Sequence, residues 1–287
     1  MERLVGVGVG WKLTGQVFVQ VVRLATVLIL ARLLTPADYG AAAIAIALAA
    51  FAPTVADMGM SSALVQVDKA SRRARSTTFW AGLAFGISLT ALFAAAAGPV
   101  GSFLDEPQVG TMVAVGGLTF AICSIGVTSQ AVFMREMRFR SIELRYWFAI
   151  AISSVFAVVA AVAGAGSWAL VLQQIVLLGT FAVALWWRAS WRPTFEFSRT
   201  DFRRLGSYAM RIAGGRWARL LELLVLTLLI GKLVGITELG AWSFAMSTVI
   251  LPLSVIVIPI AEVLFSAFSR LRDDRERMAA LWLQSVR

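Results

Sequence analysis

The sequence predicts an all-α integral membrane protein of about eight transmembrane helices. Its 287 residues are 59% hydrophobic and 15% charged, whereas a soluble globular chain is about 45–50% apolar and about 25% charged. A helix needs about 20 apolar residues to cross a hydrocarbon core about 30 Å thick. Four runs without a charged residue reach that length: 76–104, 107–134, 146–187 and 239–261.

The first six predicted spans form a bundle within residues 1–200, at 11–31, 39–56, 77–97, 109–133, 146–163 and 167–187. Thr35 as N-cap, Pro36 at the first helical position and Asp38 at the third indicate the start of the second span. The longest charge-free run holds two spans, because Gly164 and Gly166 predict a turn near its middle. Residues 201–287 add two spans and an amphipathic cytoplasmic segment, at 205–234, 239–261 and 273–286.

Lysine and arginine concentrate at one end of the predicted spans. They lie near both termini and in the second, fourth and sixth loops, whereas only Arg32 and Lys232 fall in the opposite loops. Because positively charged loops stay in the cytoplasm, we expect both termini to be cytoplasmic. Topology thus accounts for the formal net charge of +10 without a nucleic-acid partner.

An internal repeat emerges when the sequence is compared with itself at a shift of 200 positions, which places 31–40 over 231–240. Basic, leucine, acidic and glycine positions coincide, and an even number of predicted helices separates the copies. This predicts a parallel repeat, with a six-helix bundle at 1–200 and the first two helices of a second bundle at 201–287. We therefore expect the coding frame downstream of Arg287 to encode about four more spans.

Ionisable side chains inside two predicted spans mark a candidate substrate site. Such groups cost about 2.5–3.5 kcal/mol each at membrane depth and usually face protein or water. The first span carries a polar stripe at helical spacing, formed by Lys12, Gln16, Gln20 and Arg23. In the seventh span a second stripe consists of Arg211, Arg219 and Glu222, with Arg216 to one side. Both helices open a repeat, which predicts a central cavity that attracts a phosphate or pyrophosphate.

Other interpretations of these charges stay open. The five basic side chains, Lys12, Arg23, Arg211, Arg216 and Arg219, could instead extend to the cytoplasmic interface. Glu222 fits an ion-coupling site, and equally an ion pair with an arginine one turn away.

Residues for metal, redox or hydrolytic chemistry are scarce in this sequence. It has no histidine and one cysteine, Cys123, which lies inside an apolar run. No Asp-x-Asp pair occurs, and Asp105 and Glu106 lie together in an outer loop. We therefore expect no metal, no cofactor and no catalytic residue, which argues against a membrane glycosyltransferase or polymerase.

Loop and helix-end motifs resemble those of bacterial polysaccharide flippases. They read ARLLTPADYG at 31–40, DMGMSSALVQ at 57–66, QAVFMREMRF at 130–139 and LFSAFSRL at 264–271. The chain is similar to Wzx-like and teichuronic-acid-exporter-like members of the superfamily that also holds multidrug and toxin extruders and lipid II flippases. That resemblance implies about twelve to fourteen helices in two bundles, of which this chain lacks most of the second.

The resemblance implies translocation of an undecaprenyl-pyrophosphate-linked oligosaccharide between the leaflets of the bacterial inner membrane, for cell-surface polysaccharide or O-antigen biosynthesis. Alternating access, without a chemical reaction, is the implied mechanism. The implied partners are this lipid-linked substrate, membrane lipid, and the polymerase and glycosyltransferases of the same pathway. Arg23, Arg216 and Arg219 are then expected to attract the pyrophosphate while two halves move about it.

Two alternative functions fit the same fold. A cation-coupled multidrug exporter favours buried acids in the first bundle, where the first span offers only Lys12 and Arg23. A non-transporting fragment would act only as an interaction partner of other membrane proteins in glycan assembly.

Overall fold

The computed structural model describes residues 2–249 apart from 57–58, 62–63, 65–70 and 188–190, and it describes no side chains at 2–14, 208–213 and 216. Residues 1–244 form one compact unit and 245–287 form a second. The predicted segment 273–286 and the end of the predicted eighth span therefore lie outside the described residues. The boundary predicted at residue 200 between two bundles stays a prediction.

Seven long helices follow one another along the chain. They are α1 (Glu2–Leu33), α2 (Pro36–Val55), α3 (Arg72–Phe103), α4 (Pro107–Arg135), α5 (Phe139–Val162), α6 (Ser167–Trp187) and α7 (Arg199–Leu233). A further helix begins at residue 236. The described residues contain no strand, so the predicted all-α fold is confirmed.

Six of these helices are long and apolar enough to cross a membrane, namely α2 to α6 and the Gly15–Leu33 part of α1. They correspond to the first six predicted spans. Helix α7 is not among the six, and Arg219, Glu222 and Lys232 interrupt its apolar part. The predicted count of eight is therefore not confirmed, although a seventh helix and the start of an eighth are present.

The predicted start of α2 is confirmed in atomic detail. The Thr35 hydroxyl accepts a hydrogen bond from the Asp38 amide, and the Thr35 amide donates to Asp38 Oδ2 at 2.9 Å. The predicted turn after α5 is confirmed as well, since Gly164 and Gly166 adopt φ of +85° and +53°. Asp38 Oδ1 also accepts a hydrogen bond from the amide of Ser167 at 3.0 Å, which ties the start of α2 to the start of α6.

Helices α3 and α4 share the most extensive helix–helix contact in the described residues, and glycines bring their backbones together. A Cβ atom added to Gly86 would lie 2.8 Å from the carbonyl oxygen of Phe120, and one added to Gly110 would overlap the carbonyl oxygen of Ala97. In a lipid environment, association depends on such close packing, since apolar side chains gain little by leaving the lipid.

Enlarging the α3–α4 contact should destabilise the bundle. We expect Gly110→Leu to lower the free energy of unfolding by about 1–3 kcal/mol, because the backbone of Ala97 would have to move. The matched control is Gly98→Leu in α3, where a Cβ atom meets nothing within 4 Å. Reversible unfolding in mixed detergent micelles measures the difference, and equal losses in both variants would contradict the packing argument.

Helix α7 packs against α2, α3 and α4 through one apolar face. Trp217, Leu220, Leu224 and Leu228 join a core cluster built from α2, α3 and α4. The segment 191–198 before α7 is fixed to α3, because Thr194 and Ser198 form hydrogen bonds with Ser76 and Thr77. The start of α7 thus has a defined position on the bundle.

Candidate functional site

The polar stripe of α1 lies on a flank that faces protein. Val17, Val21, Leu24 and Leu28 form the exposed apolar face of this helix, as expected for a surface in contact with lipid. Val19 and Leu30 are buried on the opposite face. At 100° per residue, Gln16 and Arg23 lie close to the buried face and away from the apolar exposed one.

Arg23 has a specific partner on α5. Its Nη2 donates a hydrogen bond to the hydroxyl oxygen of Tyr146 at 2.8 Å, although the arginine itself is exposed. A guanidinium carries five N–H donors in a planar fork that matches two oxygens of a phosphate. The bond to Tyr146 orients this fork and leaves other donors for a ligand.

Aromatic rings pack around the contact between α1 and α5. The Tyr146 ring meets Phe181 edge to face at 5.4 Å, and the Trp147 ring lies 5.2 Å from Phe18. Gly15 lets α1 approach α5, since a Cβ atom there would lie 2.8 Å from the Trp147 indole. We call the group Gln16, Gln20, Arg23, Tyr146 and Trp147 the α1/α5 seam.

Tyr146 and Trp147 were not predicted as site residues. Aromatic residues at the ends of spans are typical of the interfacial belt, and that pattern does not show which ring faces another helix. Their position directly after Arg145, as the first two residues of the predicted fifth span at 146–163, was the available signal.

The predicted residues of α7 lie apart from the α1/α5 seam. Arg219 and Glu222 are exposed and sit on the face of α7 opposite Leu220 and Leu224, which pack on the first bundle. Within the described residues, no hydrogen bond or ion pair joins Arg219 or Glu222 to the seam. The side chains of Arg211 and Arg216 lie outside the described set. A shared cavity between the two stripes therefore stays a prediction.

The loops after α1, α3, α5 and α7 meet at one end of the bundle. Besides the bond from Ser167 to Asp38, the Nζ of Lys232 forms an ion pair with Asp105 Oδ2 at 2.7 Å. Lys232 also lies over the ring of Phe103, 5.5 Å from its centroid. These contacts join the last turn of α7 to the end of α3 and the loop after it.

At the same end, α2 and the helix that begins at residue 236 touch through two glycines. A Cβ atom on Gly40 would overlap the carbonyl oxygen of Ile236, and one on Gly240 would overlap the carbonyl oxygen of Pro36. The rings of Tyr39 and Phe244 meet edge to face beside this contact, with centroids 5.3 Å apart.

Residues that could hold a metal do not gather in the described part of the chain. No group of three acidic, histidine or cysteine side chains occurs there at metal-binding distance. Cys123 is a free, buried thiol on α4. The polar groups of the α1/α5 seam instead suit recognition of an anion by hydrogen bonds.

Several known proteins are similar to this chain. Succinoglycan biosynthesis transport protein ExoT of Rhizobium meliloti is 26% identical over 97% of this chain and 56% of its own length. Lipopolysaccharide biosynthesis protein WzxC of Escherichia coli is 23% identical over 94% of this chain and 56% of its own. Teichuronic acid biosynthesis protein TuaB of Bacillus subtilis is 25% identical over 77% and 46%.

The chain spans about half the length of these relatives, and no solved structure matches it. The family model for polysaccharide biosynthesis proteins matches residues 29–287, which is most of the sequence. With six helices able to span a membrane, the chain is a multi-pass membrane protein that belongs to the polysaccharide biosynthesis protein family, whose relatives include transport proteins.

Proposed function

We propose that the chain takes part in flipping an undecaprenyl-pyrophosphate-linked oligosaccharide from the cytoplasmic to the periplasmic leaflet of the inner membrane. The observation that carries this proposal is Arg23, a guanidinium inside a membrane-spanning helix that is oriented by Tyr146. The name of ExoT, a succinoglycan biosynthesis transport protein, supports transport, and the name of WzxC supports a role in polysaccharide biosynthesis.

The position of Arg23 favours a ligand over an interface anchor. It lies well inside α1 (Glu2–Leu33), and the predicted first span at 11–31 ends eight residues beyond it, about 12 Å along the helix axis. A charge at that depth is costly and usually faces protein or a water-filled path. Its bond to Tyr146 holds it beside α5, so that its free donors suit the oxygens of a pyrophosphate.

Alternating access needs two halves, and the contact between Gly40 and Gly240 supports that part of the proposal. These glycines occupy matching positions of the proposed parallel repeat. Parallel halves related by an axis along the membrane normal are a recurrent transporter architecture. Cytoplasmic termini follow from the distribution of arginine and lysine, and the polymerase and glycosyltransferases of the same pathway are proposed partners.

Deleting the gene tests the proposed function. We expect lipid-linked oligosaccharide to accumulate in the cytoplasmic leaflet and surface polysaccharide to be lost, because the substrate can no longer reach the periplasmic side. Re-expression from a plasmid should reverse both effects. Unchanged amounts of both after deletion would contradict flipping and favour a cation-coupled multidrug exporter or a role as an interaction partner only.

A further inference from the structure

The contact between Gly40 and Gly240 is reciprocal. It lies at the end of the bundle opposite the predicted cytoplasmic termini, which we call the outer end. Gly40 meets the backbone of Ile236, and Gly240 meets the backbone of Pro36. Pro36 and Ile236 are themselves 200 positions apart, as are Gly40 and Gly240. In a two-fold contact, residue i of one copy touches residue j of the other and the reverse also holds. The two copies of the repeat therefore meet about a local two-fold axis at these four residues.

Next to this contact, Asp105 combines an unusual backbone conformation with an ion pair to Lys232. Asp105 has a φ of +59°, in the left-handed position that ends α3, where the amide of Glu106 donates to the carbonyl of Gly101 at 2.9 Å. Glycine is the residue that this helix-ending motif favours. An aspartate in its place supplies the carboxylate that binds Lys232, which is the repeat counterpart of Arg32.

The ion pair can separate without repacking a core, whereas Ile236, which meets Gly40, packs on the core cluster of α2, α3 and α4. The side chain of Asp105 is 80% exposed and that of Lys232 is 37% exposed, and such pairs contribute little to stability. At the glycines, backbone lies against backbone, and the Cγ2 atom of Ile236 also lies 3.0 Å from the position of a Cβ atom on Gly40. An exposed ion pair beside such a contact suits an interface that closes and opens repeatedly.

We propose that the Gly40–Gly240 contact and the Asp105–Lys232 ion pair form a latch that closes the outer end between the two halves, and that the latch must open to release substrate. The latch rests on the proposed flipping function, because it assigns these loops to the periplasmic side. It adds four residues to that function, none of which is predicted to bind substrate.

Reversible cross-linking tests the latch. Tyr39→Cys and Phe244→Cys are introduced into the full chain, with Cys123→Ala removing the buried native thiol. Membranes are treated with a short bifunctional thiol reagent, and the cross-linked peptide is quantified by mass spectrometry. We expect efficient cross-linking, because the two native rings are 5.3 Å apart.

Latch variants should then lower the cross-linking. Gly240→Val should abolish it, whereas Gly98→Val, whose Cβ meets nothing within 4 Å, should leave it unchanged. Asp105→Asn keeps a residue that tolerates the left-handed turn and should slow cross-linking by up to about fivefold. The double variant with Asp105→Lys and Lys232→Asp exchanges the two charges and should restore the cross-linking. Unchanged cross-linking in Gly240→Val and Asp105→Asn would overturn the latch.

The same cysteine pair separates the latch from the flipping function. If cross-linking stops lipid-linked oligosaccharide from reaching the periplasmic leaflet and a reducing agent restores it, the latch is supported. Continued flipping by cross-linked protein would overturn its gating role while leaving the flippase intact. If the uncross-linked chain never flips but cross-linking still depends on the latch residues, the contact stands and the proposed function fails.

Discussion

Replacing Asp38 by alanine should lower the free energy of unfolding by about 2–4 kcal/mol, combining a lost helix cap with a lost charge-assisted hydrogen bond. The carboxylate accepts from the amide and hydroxyl of Thr35 at 2.9 and 2.8 Å, and from the amide of Ser167 at 3.0 Å. One side chain thus completes the start of α2 and fixes α6 to it.

The two roles of Asp38 can be separated experimentally. Asp201 is the third helical residue of α7, after the N-cap Ser198, as Asp38 is the third helical residue of α2. Within the described residues, its carboxylate forms no hydrogen bond to another helix. Asp201→Ala is the matched control and should cost about 1 kcal/mol or less. Asp38→Asn keeps an acceptor and should be intermediate. Reversible unfolding in detergent micelles measures all three, and equal losses for Asp38→Ala and Asp201→Ala would refute the link to α6.

Charge-free runs correctly identified four of the six helices able to span a membrane, α3 to α6, because the cost of burying charge is large and local. They underestimated helix length. Helix α3 begins at Arg72, five residues before the predicted span, since the Ser71 hydroxyl accepts a hydrogen bond from the Ala74 amide at 3.0 Å. A helix can continue beyond the hydrocarbon, where charged side chains are tolerated. Charge-free runs therefore predict the part of a helix that lies in the bilayer but not the residue at which the helix begins or ends.

The candidate site could be predicted only in part. Helical spacing placed Gln16, Gln20 and Arg23 on one stripe of α1, because that pattern is local. Tyr146 lies 123 positions from Arg23, and their hydrogen bond depends on how α1 packs on α5. The internal repeat was also only partly informative. Its alignment matched Gly40 with Gly240 but did not predict that the two glycines are in contact.

Removing the charge of Arg23 should reduce flipping by about 10–100-fold, because a hydrogen bond to a charged group is worth about 1.5–3 kcal/mol. The variant is Arg23→Met, which keeps an unbranched apolar stem. Arg32→Met, at the exposed end of the same helix, is the matched control and should retain full activity. Transport of lipid-linked oligosaccharide is measured in the deletion strain at equal protein levels. Full flipping by Arg23→Met would assign this arginine to the membrane interface.

The role of Tyr146 is that of a positioning residue, which a double-mutant cycle can establish. Tyr146→Phe removes the hydroxyl that accepts from Arg23 and should reduce flipping by about 2–10-fold, because the guanidinium keeps its charge but loses the partner that orients it. If Tyr146 acts through the guanidinium, the same change in the Arg23→Met background should have no further effect. A purely structural role would give independent losses that multiply. Because the ring and its contact with Phe181 are retained, a non-additive result would place the effect in the hydrogen bond.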